Sequence, residues 1–177
     1  MSASAINIYR DNVRRLQSSG QWINIGADHG IPNQYCPHGN LKFLVWHRRQ
    51  IARIEEMLGV PLPYWDWTKT NGIPEPCKSR TYTDNQGVRR SNPLYAGPKI
   101  GGGNTRRQRL PDFNMQSLLN QEQMAMGSRR FEDFSTMIEG AHNDVHGDIG
   151  GDMNSIDYAA FDPIFWLHHN NIDRICS

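Results

Sequence analysis

Seven histidines are the residues of this sequence best suited to chemistry, and they fall in two groups. His29, His38 and His47 stand near the start, and His142, His146, His168 and His169 near the end, with none between the groups. Histidine is the commonest protein metal ligand. His142 and His146 are four apart in HNDVH, so on a helix both rings share one face and can share one ion. The segment lacks the glutamate that follows the first histidine of a zinc-protease helix. A third nitrogen from the last helix would complete that site. FWLHHNN, residues 165–171, offers two, but adjacent helical residues point about 100° apart, so only one can face the same ion. Asp173 lies four residues after His169 and Phe165 four before it, on its face. His168 shares its face with Ile164 and Ile172. A ligating imidazole usually has an acceptor behind it, which favours His169 as ligand and leaves His168 as a supporting neighbour. His47 sits in an apolar stripe, where a satisfied core histidine is the ordinary alternative. With His29 of DHG and His38 of PHG, both in glycine-flanked segments read as loops, it makes a second trio. Two trios brought together imply a dinuclear centre. Neutral imidazoles add no negative charge, which argues against magnesium and calcium. Carboxylate-bridged di-iron sites need Glu-x-x-His patterns, which are missing. Zinc or copper remains, and two three-coordinate ions with open positions suit copper binding dioxygen.

These side chains need helices to position them. The periodicity predicts helices over 5–18, 41–58, 114–126 and 129–147, and a last one starting at Asp162-Pro163, an N-cap residue with proline at the first helical position. Leu44, Trp46, Ile51, Ile54, Met57 and Leu58 form the stripe of the strongest helix, and Gly59 stops it. PLPYWDW, 61–67, reads as an extended aromatic segment. The expected fold class is mainly α: a four-helix bundle core around the dinuclear copper site, with long irregular loops. Residues 68–112 lack periodicity and read as a long surface loop joining two helical halves. A loop of that length is functional or pinned in a compact domain. Its arginines, Arg89, Arg90, Arg106, Arg107 and Arg109, read as solvated charges, because no interleaved aromatics accompany them.

The chain has 177 residues and a formal charge of +1. One domain spanning 1–177 is expected, and the charge gives no strong pull on nucleic acid or membrane. Apolar residues are 37% of the chain, alongside 16 glycines and 10 prolines, as for a core carrying irregular loops. No stretch is long and apolar enough to span a bilayer. MSASAINIYRD has no apolar leader region, so a cytoplasmic location is the default expectation. Three cysteines, an odd number, argue against a disulfide framework. Cys77 reads as a loop residue without a role.

Five segments occur in a familiar order: CPHGN at 36–40, WHRRQIARIEEML at 46–58, PYWDW at 63–67, IEGAHNDVHGDIGG at 138–151 and YAAFDPIFWLHHNNIDR at 158–174. Together they resemble the tyrosinase, catechol oxidase and molluscan hemocyanin superfamily of type-3 copper proteins, nearest a short tyrosinase. The resemblance implies one copper held by His29, His38 and His47 and a second by His142, His146 and His169. It implies a Cys36–His38 thioether, a Glu139 carboxylate holding an active-site water, and Asn143 as that carboxylate's partner. It also implies Phe165 packed over the metal pair, Asp173 and Arg174 orienting ligands, and framework hydrogen bonds from Glu55 and Asp66. The activity implied is ortho-hydroxylation of monophenols and oxidation of o-diphenols to o-quinones by dioxygen. The alternatives are diphenol oxidation alone, or reversible dioxygen carriage as in hemocyanin. The partners implied are a small phenol or catechol and dioxygen, with no nucleic acid and no membrane. The sequence ends at Ser177 with no C-terminal lid domain, so an open, enzyme-like site is expected. Cys176 stands where the family usually has tryptophan, so homo-oligomerisation is expected to supply the missing cover.

Overall fold

Tyr9, Val13 and Leu16 recur at helical spacing, and all three are fully buried along one face of α1, Ala3–Ser18. Ser2 caps that helix, accepting the Ala5 amide at 3.2 Å. The structure is a computed structural model that describes residues 2–108 and 114–177. Among these residues it contains six α-helices, so the mainly α reading holds. One helix was not anticipated: α2, Gln21–His29, opens at Gly20, whose φ of +78° turns the chain sharply out of α1. Its nine residues are too few for a periodic signal, and its glycines read as loop. Gly26 is needed there because a Cβ would come within 2.6 Å of the Phe161 ring.

The strongest pattern forms α3, Phe43–Leu58, burying Phe43, Leu44, His47, Ile51, Ile54 and Leu58. Gly59, at φ +71°, stops it and returns its amide to the Glu55 carbonyl. Glu55 then accepts the Leu62 amide at 2.8 Å, the framework bond expected of it. The following extended segment is tied to the last helix, α6, Pro163–Ile175: Trp65 N donates to Leu167 O at 3.0 Å, and Asn170 Nδ2 donates to Leu62 O at 2.8 Å.

The connection after residue 68 is pinned rather than a plain surface loop. It holds a 3-10 turn at Glu75–Cys77 and a hairpin of β1, Thr81–Thr83, and β2, Arg89–Ser91, with Thr81 opposite Ser91. Cys77 and Leu94 are fully buried, so Cys77 belongs to the core. The solvated-charge reading fails for Arg107. It is buried, bonded to Asp162 at 2.6 Å, and donates to the carbonyls of Cys77 and Leu94 at 3.0 Å each. Arg90 pairs with Asp84, whereas Arg106 is exposed. Arg109 and the end of the expected loop lie outside the described residues.

Helix α4, Met115–Met126, packs on α5, Phe131–Ile149. Asp162 caps α6 by accepting the Ile164 amide at 3.0 Å. Trp22 of α2 meets Trp166 of α6 edge-on at 6.2 Å between centroids. The helices α2, α3, α5 and α6, which carry six of the seven histidines, thus surround the core, where five of the seven are buried. No helix among the described residues is long and apolar enough to cross a membrane.

Candidate metal centre

Three elements deliver the first histidine group. His29 is the last residue of α2 and not a loop residue, His38 stands in the loop before α3, and His47 lies in the second turn of α3. Their ring centroids are 5.4 to 5.6 Å apart. In the second group, His142 and His146 lie one turn apart on α5. His169 of α6 brings Nε2 to 3.1 Å from His142 Nε2 and 3.4 Å from His146 Nε2. The groups adjoin, with the His47 and His169 rings stacked at 4.6 Å. Within each group, His168 included in the second, one ligand atom per residue lies within 4.8 Å of the others.

Several of these nitrogens are buried without a hydrogen-bond partner: Nε2 of His47 and His168, Nδ1 of His38 and His169, and both of His29. Each such group costs about 1–3 kcal/mol if left unmet, and at a bare nitrogen such as His47 Nε2 a cation would offset that. The donors are all imidazole, which suits copper or zinc. The residues present therefore fit a pair of copper ions.

Backbone and side-chain oxygens orient the rings. His47 Nδ1 donates to Phe43 O at 2.8 Å, His142 Nδ1 to Asn143 Oδ1 at 2.9 Å, and His146 Nδ1 to Met153 O at 2.6 Å. An acceptor behind Nδ1 places the proton there and leaves Nε2 bare. Burial keeps the rings neutral. It pushes His47 down to about 3 and His146 to about 4. Burial, helped by neighbouring imidazoles, takes His29, His142, His168 and His169 well below the usual histidine range. His38, only half-buried, is lowered by desolvation, with Glu139 pulling the other way.

The remaining expected residues have mixed placements. Glu139 is 8% exposed and accepts the Gly39 amide through Oε1 at 2.6 Å, holding the loop that carries His38. Asn143 is exposed and orients His142. Phe165 lies 4.7 Å from His29 and 3.9 Å from His169, touching one ring of each group. Cys36 donates its thiol to His29 O at 3.2 Å, and burial raises it to about 11. Asp173 does not support His169: it pairs with Arg48 at 2.5 Å, while His169 Nδ1 has no partner. A shared helix face put Asp173 near His169, but the ion pair across to α3 draws the carboxylate away. Arg174 likewise turns to Asn171, at 2.9 Å, and toward Asp66. Asp66 takes the framework role, accepting from Thr68 Oγ1 at 2.6 Å.

Sequence reasoning missed Phe43, Met153 and Trp67. Phe43 stands four before His47, a spacing that could have flagged its carbonyl. Met153 acts only through its carbonyl, which no residue type announces. Trp67 Nε1 donates to His168 Nδ1 at 3.2 Å, a partner set by tertiary packing.

Residues 17–177 match the family described as the common central domain of tyrosinase. The chain is 33% identical over 191 residues to Hemocyanin G-type, units Oda to Odg, of Enteroctopus dofleini, covering 94% of this chain and 7% of that protein. A functional unit of octopus hemocyanin superposes with a TM-score of 0.84 at 28% identity, over 99% of this chain and 50% of the other. Tyrosinase from Burkholderia thailandensis gives a TM-score of 0.81 at 19% identity, over 98% of this chain and 57% of that one, a likeness of fold. The chain spans about half or less of the length of these relatives.

Proposed function

The chain belongs to the tyrosinase family of type-3 copper proteins, and from that premise we propose that residues 1–177 form one copper domain that oxidises phenols with dioxygen. His29, His38 and His47 are proposed to hold one ion, and His142, His146 and His169 the other. The observation that carries this is the convergence of two neutral all-imidazole groups whose rings stack at 4.6 Å. When bound, a copper pair held by these histidines would supply the oxidising chemistry toward dioxygen. The protein's own part is to fix geometry. Phe43 O, Asn143 and Met153 O aim bare Nε2 atoms inward, and Phe165 closes the centre between the groups.

Substrate reaches the centre where it is least covered. His38 and His146 are the two half-buried histidines, one from each group. A small phenol or catechol is proposed to approach along that edge. For a monophenol, a water held by Glu139 accepts the phenolic proton, a general base acting through one water. Gly39 takes Oε1, so the second oxygen is assigned to that water. In the diphenol reaction, two o-diphenols give four electrons and four protons to one dioxygen, which leaves as two waters. The Cys36–His38 thioether remains part of the proposal: dioxygen would take the two electrons and two protons released as the Cys36 S–H and a His38 ring C–H give way to a C–S bond, and mass spectrometry would read the lost pair of hydrogens.

A second reading, reversible dioxygen binding, is favoured by one observation: on superposition, identity to the octopus hemocyanin unit, at 28%, exceeds that to the bacterial tyrosinase, at 19%. The deciding experiment gives copper-loaded protein a catechol and a monophenol in turn. Quinone formation from the catechol, lost in His142→Ala, supports the oxidase. Reversible oxygenation without turnover overturns it in favour of carriage.

A further inference from the structure

The last helix carries two adjacent histidines within reach of the second group's nitrogens, so distance alone does not select the ligand. The partners at Nδ1 do. His47, His142 and His146 each place an oxygen acceptor behind Nδ1. His168 instead meets a donor: the indole N–H of Trp67, at 3.2 Å, with both side chains fully buried. An indole nitrogen only donates, so His168 Nδ1 must offer its lone pair. An imidazolium has no bare nitrogen, so a ring that accepts at Nδ1 is neutral and carries its single proton elsewhere. With Nδ1 bare, the proton sits on Nε2. One nitrogen of His168 therefore has its lone pair engaged, and the other has none to give.

We infer that Trp67 is a positioning residue that locks His168 in the Nε2–H tautomer and so removes it from the ligand set, leaving His169 as the third ligand. This rests on the reading that the second group binds a metal. The lock is built into the fold. Trp65 N bonds Leu167 O, and Asn170 Nδ2 bonds Leu62 O, so the aromatic segment clamps α6 on both sides of His168. The two neighbours therefore differ in their chemistry: His169 Nε2 converges on His142 and His146, while His168 has one lone pair engaged by Trp67 and a proton on its other nitrogen.

The test is long-range proton–nitrogen NMR on the full chain, metal-free and loaded with zinc(II) as a diamagnetic probe. His168 is assigned by the signal that His168→Gln removes. The expected result is Nε2–H at His168 in both states, and Nδ1–H at His142 and His146. In Trp67→Phe, His168 is expected to shift to a mixture containing Nδ1–H. A wild-type His168 carrying its proton on Nδ1, or losing the Nε2 proton on zinc loading, would overturn the inference. So would an unchanged Nε2–H form in folded Trp67→Phe. If that variant does not fold, the wild-type spectra decide. Zinc stoichiometry separates the two claims: uptake below two ions per chain counts against the metal site, while the metal-free spectrum still judges the tautomer.

Discussion

The two histidine groups solve one geometric problem by different means. The second takes two ligands from a single helix, one turn apart, and a third from α6, whose N-terminus is fixed by a buried charge pair. The first takes its three from a helix end, a loop and a second helix, and its loop is held by one carboxylate, Glu139, reaching across from α5. A pair at i and i+4 is set as soon as its helix forms. A trio drawn from three elements is set only when those elements dock. The second group should therefore resist loss of local contacts and fail when α6 is undermined, whereas the first should respond to changes at the His38 loop.

The largest effect is expected where the second group's anchor is cut. Asp162 caps α6, accepts the Thr105 hydroxyl at 2.9 Å and pairs with buried Arg107. Asp162→Ala leaves that guanidinium buried without its carboxylate, which costs about 3–5 kcal/mol. Urea unfolding should show a loss of that size, with metal uptake at the second group falling in step. An unchanged midpoint would mean that the pair is not what holds α6. Asp162→Asn, which keeps the cap oxygen, should fall between.

Acid tests what the groups share. His47 of the first and His146 of the second are both depressed by burial, to about 3 and about 4. Their unfolded value is 6.5, so the unfolded chain binds protons that the native chain refuses. The stability they give is complete above pH 6.5 and is lost as pH falls toward their folded values. By pH 5 each such ring removes about 2 kcal/mol from the metal-free protein. Chemical unfolding of metal-free protein between pH 7 and 5 measures this, and stability flat across that range would contradict the burial of both groups.

Glu139→Ala should separate the groups. Freed from its carboxylate, the Gly39 amide no longer fixes the loop of His38, and supporting contacts of this kind are worth roughly 10–100-fold in metal affinity. The loss should fall on the first-group ion, read by competition with a chelator, while the second-group ion holds. Equal loss at both would mean that the carboxylate acts on the centre as a whole.

The same contrast explains what the sequence could disclose. HNDVH and the Asp162-Pro163 start are local signals, so the His142–His146 pair was legible from spacing, whereas the choice of His169 rested on an acceptor at Asp173 that the structure directs to Arg48. His29 read as a loop residue because the nine-residue α2 owes its existence to packing against Phe161. Arg107 read as a surface charge because its partner lies 55 residues away at Asp162. Asp173 was placed correctly on the face of His169, but helix spacing says nothing of Arg48 on another helix. The mainly α fold and the histidine content were local information. The polarity behind each ring, an oxygen for His142 and an indole N–H for His168, was not.

The smallest expected effect tests how far the second group's helix suffices by itself. Asn143 Oδ1 is the only side-chain oxygen that accepts from a ligating imidazole among the described residues; His47 and His146 use carbonyls that no substitution removes. Asn143→Ala therefore takes away the acceptor that holds the His142 proton on Nδ1. Water can replace it, because Asn143 is exposed, and the ring stays wedged 4.9 Å from Phe43 and 5.0 Å from His168. Packing thus retains the orientation, and only the tautomer preference weakens. The fall in second-group affinity should stay near the low end of the range for supporting contacts, roughly tenfold, against a larger loss at the first group in Glu139→Ala. If Asn143→Ala proves the more damaging, the helix does not carry its pair unaided, and the hydrogen bond behind His142 ranks above the i, i+4 spacing as the source of the second group's geometry.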